Sequence, residues 1–162
     1  MLSATPMKLS RKANVPRSGI HGVLADTCFW IAAFDPSAGD DHRSAAGLLE
    51  DLSRGVLLMP WPIMYEVLRT YTVKNPKMMD GFARVVRRPK VYKIDDSKYR
   101  SRCLEESFLI ARRGRPISLV DLIVRAVLRD DDYRVTQLLT YNQRDFADVC
   151  RDRGVTMWPP SY

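Results

Sequence analysis

The stretch Gly22-Val23-Leu24-Ala25, followed by Asp26 and a helix-like stretch at 27–34, decides the fold. Its four small or apolar residues predict a short strand, and a helix follows it at once. Short apolar runs alternate with longer amphipathic stretches along the rest of the chain. Strands that alternate with helices predict an α/β fold, in which helices cover both faces of a mostly parallel sheet.

Short apolar runs predict the remaining strands, and longer amphipathic stretches predict the remaining helices. Further strands are expected at 56–59, 91–94, 135–140 and 154–157. Helices are expected from Asp40 or Asp41 to Gly55, from Pro62, through 78–86, from Asp95 or Asp96 to near Gly114, from Ser118 to about Arg129, and from Asp145.

The charge is uneven along the 162 residues. The formal net charge is +7, which favours an anionic partner, most commonly nucleic acid. No acid precedes Asp26, whereas four cations do: Lys8, Arg11, Lys12 and Arg17. We therefore predict a basic, flexible N-terminal extension at residues 1–21 and a single domain at 22–162.

Neither a membrane span nor a disulfide framework is expected. No apolar run approaches the roughly 20 residues that a spanning helix needs, and residues 1–21 lack the apolar core of a secretory signal. The three cysteines, Cys28, Cys103 and Cys150, are odd in number and widely spaced. A reducing cytoplasm is the simplest compartment for such a chain.

Four acids occupy positions where acids are unusual. Asp26 directly follows the first predicted strand, where an open parallel sheet places its ligand crevice. Asp145 follows the strand at 135–140 and so belongs to the same edge of the sheet. Glu66 lies early in the third predicted helix. Asp121 lies within an apolar run, where an unpaired carboxylate is costly to bury, and near a helix N-terminus, which suits a negative charge.

These four acids can meet at one point, where their charges would repel one another. A divalent cation would neutralise such a cluster. Because hard oxygen ligands select hard cations, Mg²⁺ or Mn²⁺ is the expected ion. An ion held in this way can activate water and stabilise charge on a phosphate.

Five short motifs around these acids carry a family resemblance. They are Val23–Thr27, Trp30–Ala32, Tyr65–Leu68, Ser118–Ile123 and Leu138–Phe146. In order and spacing they resemble the PIN-domain family, and most closely its VapC-type toxins. The resemblance extends over about residues 22–158.

The resemblance implies a three-layer α/β/α sandwich and a ribonuclease that hydrolyses RNA phosphodiesters with metal-activated water. It also implies a role for each matching position. Asp26, Glu66 and Asp121 match metal-binding acids, both Asn142 and Asp145 match the fourth position, and Thr27 and Ser118 match hydroxyls beside the metal ligands. Cys28 departs from the pattern, because the family often has a polar residue such as Asn there.

The resemblance further implies partners. Besides RNA, we expect a small antitoxin protein, which occupies the acidic cleft through an arginine whose fork matches carboxylates. A homodimer is expected as well. Two alternatives stay open at this stage: an RNA-processing nuclease of the same fold, and a catalytically silent module that binds RNA or protein.

Other phosphate chemistries fit the sequence poorly. A dehalogenase-type phosphatase needs a second aspartate two positions after the first, where this chain has Cys28. Neither a P-loop nor a dinucleotide-binding glycine motif is present. Ser118 would need a base to act as a nucleophile, and neither His21 nor His42 lies in a convincing motif.

Overall fold

A computed structural model describes residues 19–114 and 116–160, without the side chains of Thr70 and Tyr71. Most of the predicted N-terminal extension, residues 1–18, lies outside this range. The first strand begins at Ile20, two residues before the predicted start of the domain.

Strands and helices alternate along the described chain. The strands are β1 (Ile20–Ala25), β2 (Leu57–Pro60), β3 (Val91–Ile94), β4 (Tyr133–Leu139) and β5 (Thr156–Trp158). The helices are α1 (Thr27–Phe34), α2 (Asp40–Asp51), α3 (Trp61–Val67), α4 (Thr70–Val73), α5 (Pro76–Val86), α6 (Ser97–Ala111), α7 (Leu119–Arg129) and α8 (Ala147–Arg153).

The five strands form one sheet in the order β3-β2-β1-β4-β5, and every pair is parallel. Helix α1 contacts α2, α3 and α5, whereas α7 contacts α6 and α8, and the two groups meet where α3 contacts α7. Because crossovers between parallel strands are right-handed, the two groups of helices cover opposite faces of the sheet. The predicted α/β/α sandwich is thereby confirmed.

The order in which strands are added to the sheet changes direction at β1, the central strand. From β1 the chain first adds β2 and β3 on one side, and later adds β4 and β5 on the other. Ligand crevices of open α/β sheets lie at such a switch point, outside the carboxyl ends of the strands. Ala25 pairs with Leu139 at these ends, and the next N–H, that of Asp26, donates to the Leu139 carbonyl at 2.9 Å.

Aromatic side chains fix α1 against this edge. The indole of Trp30 is buried and donates to the Ala25 carbonyl at 3.0 Å, which ties the helix to the last residue of β1. Phe29 meets Trp30 on one side and Trp158 of β5 on the other, edge to face, with centroids 5.7 and 5.6 Å apart. The helix that follows Asp26 is therefore held by aromatic contacts and by a hydrogen bond to β1.

The structure differs from the sequence prediction at two helices. The short helix α4 was not predicted. The last helix begins at Ala147 and not at Asp145, because residues 143–145 form one turn of 3-10 helix first. Within residues 19–114 and 116–160, no helix is long and apolar enough to cross a membrane.

Gly22 offers a test of how closely β1 and β2 pack. A Cβ atom at Gly22 would lie 2.8 Å from the Val56 carbonyl oxygen, a backbone atom that already accepts from Val23 N–H. We expect Gly22→Ala to lower the free energy of unfolding by about 1–3 kcal/mol, as overpacking does. Urea denaturation measures it.

The control is Gly47→Ala on the exposed side of α2, where an added Cβ meets nothing within 4 Å. Removing a helix-interior glycine there should raise the free energy of unfolding by about 0.5–1 kcal/mol. A Gly22→Ala protein as stable as this control would contradict the close packing of the two strands.

Candidate active site

Asp26 lies at the centre of the carboxyl edge and is only 4% exposed. Its Oδ1 accepts from the backbone N–H of Thr27 at 2.7 Å, so the side chain also caps α1. Its Oδ2 accepts from the Thr140 hydroxyl at 3.0 Å and from the Cys28 thiol at 3.2 Å. Donors from the first turn of α1 and from the residue after β4 therefore fix the orientation of this carboxyl group.

Glu66 reaches the same region from α3. Its Oε2 accepts from the Thr27 hydroxyl at 2.6 Å. Thr27 therefore donates its backbone N–H to Asp26 and its hydroxyl to Glu66. The hydroxyl that the sequence pattern placed beside the metal ligands thus connects two of the four predicted acids.

Asp121 is the third residue of α7, and its N–H donates to the Ser118 hydroxyl at 3.0 Å, which caps the helix. Burial first, and then the charges of Asp26, Glu66 and Asp145, raise the pKa of the Asp121 carboxyl to about 6, against the lowering effect of its hydrogen bond with Ser118. Four like charges therefore act on one region of the edge.

Asp145 and Asn142 share the turn after β4. The Asn142 amide donates to Asp145 Oδ2 at 2.8 Å, and the Asn142 backbone N–H donates to the Thr140 hydroxyl at 2.9 Å. Because Thr140 in turn donates to Asp26, a chain of hydrogen bonds connects the first and the last of the four acids.

Arg125 holds this turn through hydrogen bonds to residues 145 and 148. This arginine was not singled out in the sequence. It lies one helical turn after Asp121, and its buried guanidinium makes two hydrogen bonds of 2.6 Å to the Asp148 carboxylate. It also donates to the backbone carbonyl of Asp145. The guanidinium holds the pKa of Asp148 well below its ordinary value.

Cys28 also has a role that the sequence did not reveal. Its sulfur donates to Asp26 and accepts from the backbone N–H of Tyr141 at 3.2 Å. Burial, and then the charge of Asp26, raise the pKa of the thiol to about 11. At neutral pH the group is a protonated donor, not a thiolate ligand or nucleophile.

Thr27 connects Asp26 with Glu66, and Thr140 and Asn142 connect Asp26 with Asp145, but the oxygen atoms of the four acids do not converge on one point. In the part of the chain that the structure describes, no group of three or more Asp, Glu, His or Cys side chains is placed so that it could hold a metal ion. The shared metal site at Asp26, Glu66, Asp121 and Asp145, with Asn142 beside them, accordingly stays a prediction.

A mostly apolar groove of about 590 Å³ opens beside Glu66, between α3, α6 and α7. Tyr65 forms one wall and is 63% exposed, while Leu104 and Leu119 contribute apolar surface from the other two helices. Arg69 and Arg100 lie at its border. A concave, mostly apolar surface with a few polar groups is typical of a binding site.

Comparison with known proteins identifies the fold. No protein-family profile and no curated protein sequence matches the chain. Among solved structures, the chain is similar to the sarcin–ricin loop cleaving toxin VapC20 of Mycobacterium tuberculosis, with a TM-score of 0.58 and 20% sequence identity. The similarity covers 78% of this chain and 94% of the toxin. The resemblance to VapC-type proteins of the PIN class is thus confirmed at the level of the fold.

The raised pKa of Asp121 predicts a pH-dependent effect on stability. The folded protein keeps the proton up to pH about 6, whereas the unfolded chain releases it near pH 3.8. The free energy of unfolding therefore falls as the pH rises from 3.8 to about 6, and it stays lower above pH 6. Without divalent cations, Asp121→Asn should therefore raise the free energy of unfolding at pH 8 by about 1 kcal/mol, a value reduced for partial solvent screening. The gain should vanish at pH 4.

Urea denaturation at the two pH values measures this difference. Asp51→Asn, at an exposed position at the end of α2, is the matched control and should change little at either pH. A loss of stability at pH 8 in Asp121→Asn would show that the carboxylate is stabilised there and would contradict repulsion among the acids.

Proposed function

We propose that this chain is a metal-dependent endoribonuclease and, within that class, the toxin of a toxin–antitoxin pair. One observation carries most of the proposal: Asp26, Glu66 and Asp145 all act on the charge of Asp121 at the switch point of the sheet. The fold adds support, because the similar protein VapC20 is a toxin that cleaves the sarcin–ricin loop.

The donor set fits a hard divalent cation. Asp26 and Asp121 are the proposed ligands of Mg²⁺ or Mn²⁺, with Glu66, Asp145 and Asn142 beside them. Mg²⁺ usually takes only one or two carboxylates and completes its shell with water and phosphate oxygens, so three converging acids are not required. When bound, the cation would neutralise the acids, polarise the phosphodiester and activate the attacking water.

The protein's own residues orient this chemistry. Thr27, Cys28 and Thr140 fix the Asp26 carboxyl group, so that its oxygens need no rearrangement during the reaction. Asn142 orients Asp145. Without a cation, the acids would repel the phosphodiester, and the same repulsion adds to the effect of burial in favouring a proton on Asp121.

A catalytically silent module that binds RNA or protein is the second candidate. Over the described residues, the acids are not placed to hold an ion by themselves, which is the observation that favours it. An RNA-processing nuclease outside a toxin–antitoxin system shares the proposed chemistry and differs in its biological partner.

The proposed regulator is a small antitoxin with one arginine in the acidic cleft and an apolar segment in the groove beside Glu66. The groove supports the apolar segment, and the acids support the arginine, because a guanidinium pairs with carboxylates through two parallel hydrogen bonds. The proposed compartment is the cytoplasm, which suits an RNA substrate and the free thiols of Cys28, Cys103 and Cys150.

The proposed homodimer has a candidate surface on α6. Phe108 and Leu109 are 55% and 56% exposed near the end of α6, about one turn beyond Leu104 of the groove. If a second copy packs there, light scattering at micromolar concentration should give twice the chain mass, and Phe108→Asp should give the mass of one chain.

Val73→Asp is the control for this measurement, because Val73 is equally exposed, at 53%, but lies on α4. A wild-type mass of one chain would exclude the dimer. A dimer that Phe108→Asp leaves intact would place the interface elsewhere.

The activity itself is tested with end-labelled single-stranded and hairpin RNA. Wild-type protein should cleave with Mg²⁺ or Mn²⁺ and stop when a chelator is added. Asp26→Asn and Asp121→Asn should each lower the rate by at least about 100-fold, because loss of an outer-sphere partner alone costs about 10- to 100-fold. Asp51→Asn, at the opposite end of the sheet, should cleave at the wild-type rate.

Equal cleavage by all four proteins would identify a contaminating nuclease. Metal-loaded wild-type protein that binds RNA without cleaving it, in a preparation free of any second protein, would favour the silent module.

A further inference from the structure

We infer that Cys28 is a positioning residue: its sulfur joins the Asp26 carboxyl group to the loop after β4 and fixes the two relative to each other. The inference rests on the proposed function only in taking Asp26 as a ligand of the divalent cation. It concerns a residue that departs from the family pattern, so the pattern assigns it no role.

Two contacts of the sulfur carry the inference. On one side the thiol donates to Asp26 Oδ2, and on the other it accepts from Tyr141 N–H, both at 3.2 Å. Tyr141 lies 113 positions away from Cys28 in the chain. The sulfur therefore bonds both to the acid after β1 and to the backbone after β4.

Thr140 completes the connection. Its hydroxyl donates to the same Asp26 oxygen, accepts from Asn142 N–H at 2.9 Å and lies 3.5 Å from the Cys28 sulfur. Two neighbouring N–H groups of one loop thus bond to two side chains that both donate to Asp26. Through Asn142, which bonds to Asp145, this arrangement extends to the fourth acid.

The position of Cys28 explains why this side chain has to both donate and accept a hydrogen bond. It lies in the first turn of α1, which Trp30 ties to β1, so its side chain cannot move away without moving the helix. Removing the sulfur would leave Tyr141 N–H without its acceptor and Asp26 with one donor fewer. A partly buried polar group that loses its partner shifts toward water or another partner, and the loop would shift with it.

The first test measures Mn²⁺ affinity by the electron paramagnetic resonance signal of free Mn²⁺, with no RNA present. Cys28→Val keeps the approximate volume and loses the hydrogen bonds, so Mn²⁺ should bind about tenfold more weakly, as for other outer-sphere partners. Cys28→Ser keeps a donor and an acceptor and should stay within about twofold of wild type. Cys103→Val makes the same change at a buried cysteine on α6 and should leave the affinity unchanged.

The second test needs no metal and measures hydrogen exchange of single amides by NMR. In Cys28→Val, the Tyr141 amide should exchange about tenfold faster, while Val155 N–H, which donates to the Cys150 carbonyl at 2.8 Å, should be unchanged. Cys28→Ser should restore protection. If valine does not fit and the variant fails to fold, Cys28→Ala removes the same bonds without adding a methyl group.

The outcomes separate this inference from the proposed function. Unchanged Tyr141 exchange in the folded variant overturns the positioning role, and so does Mn²⁺ binding as tight as in wild type. A serine variant as impaired as the valine variant also overturns it, because the hydrogen bonds would then not be the cause. Wild-type protein that binds Mn²⁺ but cleaves no RNA overturns the nuclease and leaves the role of Cys28 standing. If wild type binds no Mn²⁺, the exchange measurement decides alone.

Discussion

Asp26 places a carboxyl group in a nearly buried position, and its need for hydrogen-bond donors organises the residues around it. A carboxyl group removed from water is tolerated where protein donors replace the lost solvent. One donor comes from the start of α1, at Thr27, and another comes from Thr140, which is 114 positions away. The site therefore exists only if β1 and β4 pair in one particular register.

The parallel sheet supplies that register. Ala25 lies opposite Leu139, so the residues that follow the two strands emerge side by side. A shift by one residue would exchange the two faces of the strand and move Thr140 away from Asp26. The buried packing of Leu24 and Leu138, both fully covered in the core, opposes such a shift. Hydrophobic burial thus fixes a polar arrangement at the edge of the same strands.

Much of this could be predicted from the sequence, for identifiable reasons. The bounds of α1 follow from an apolar stretch and from Asp26 as its cap, both of which are local. The placement of Asp26 and Asp145 at one edge follows from parallel strand pairing, which the alternation of elements predicts. The hydrogen bonds of Cys28 could not be predicted, because they depend on a residue 113 positions away. Arg125 was hidden for a related reason: within the apolar run of α7, nothing local indicates that its guanidinium turns toward Asp148 and the Asp145 carbonyl.

The repulsion at Asp121 also connects the proposed metal and the proposed protein partner. A proton, a divalent cation and a guanidinium group are three ways to neutralise the same acids, and the charges of the other three acids add to burial in raising the pKa of Asp121. Because each neutralises the same charges, binding of one weakens binding of the others. An antitoxin arginine in the cleft would therefore act against the cation without contacting the RNA. The apolar groove beside Glu66 would then supply binding energy that is independent of the charges, so that an inhibitor could stay bound where Mg²⁺ is abundant.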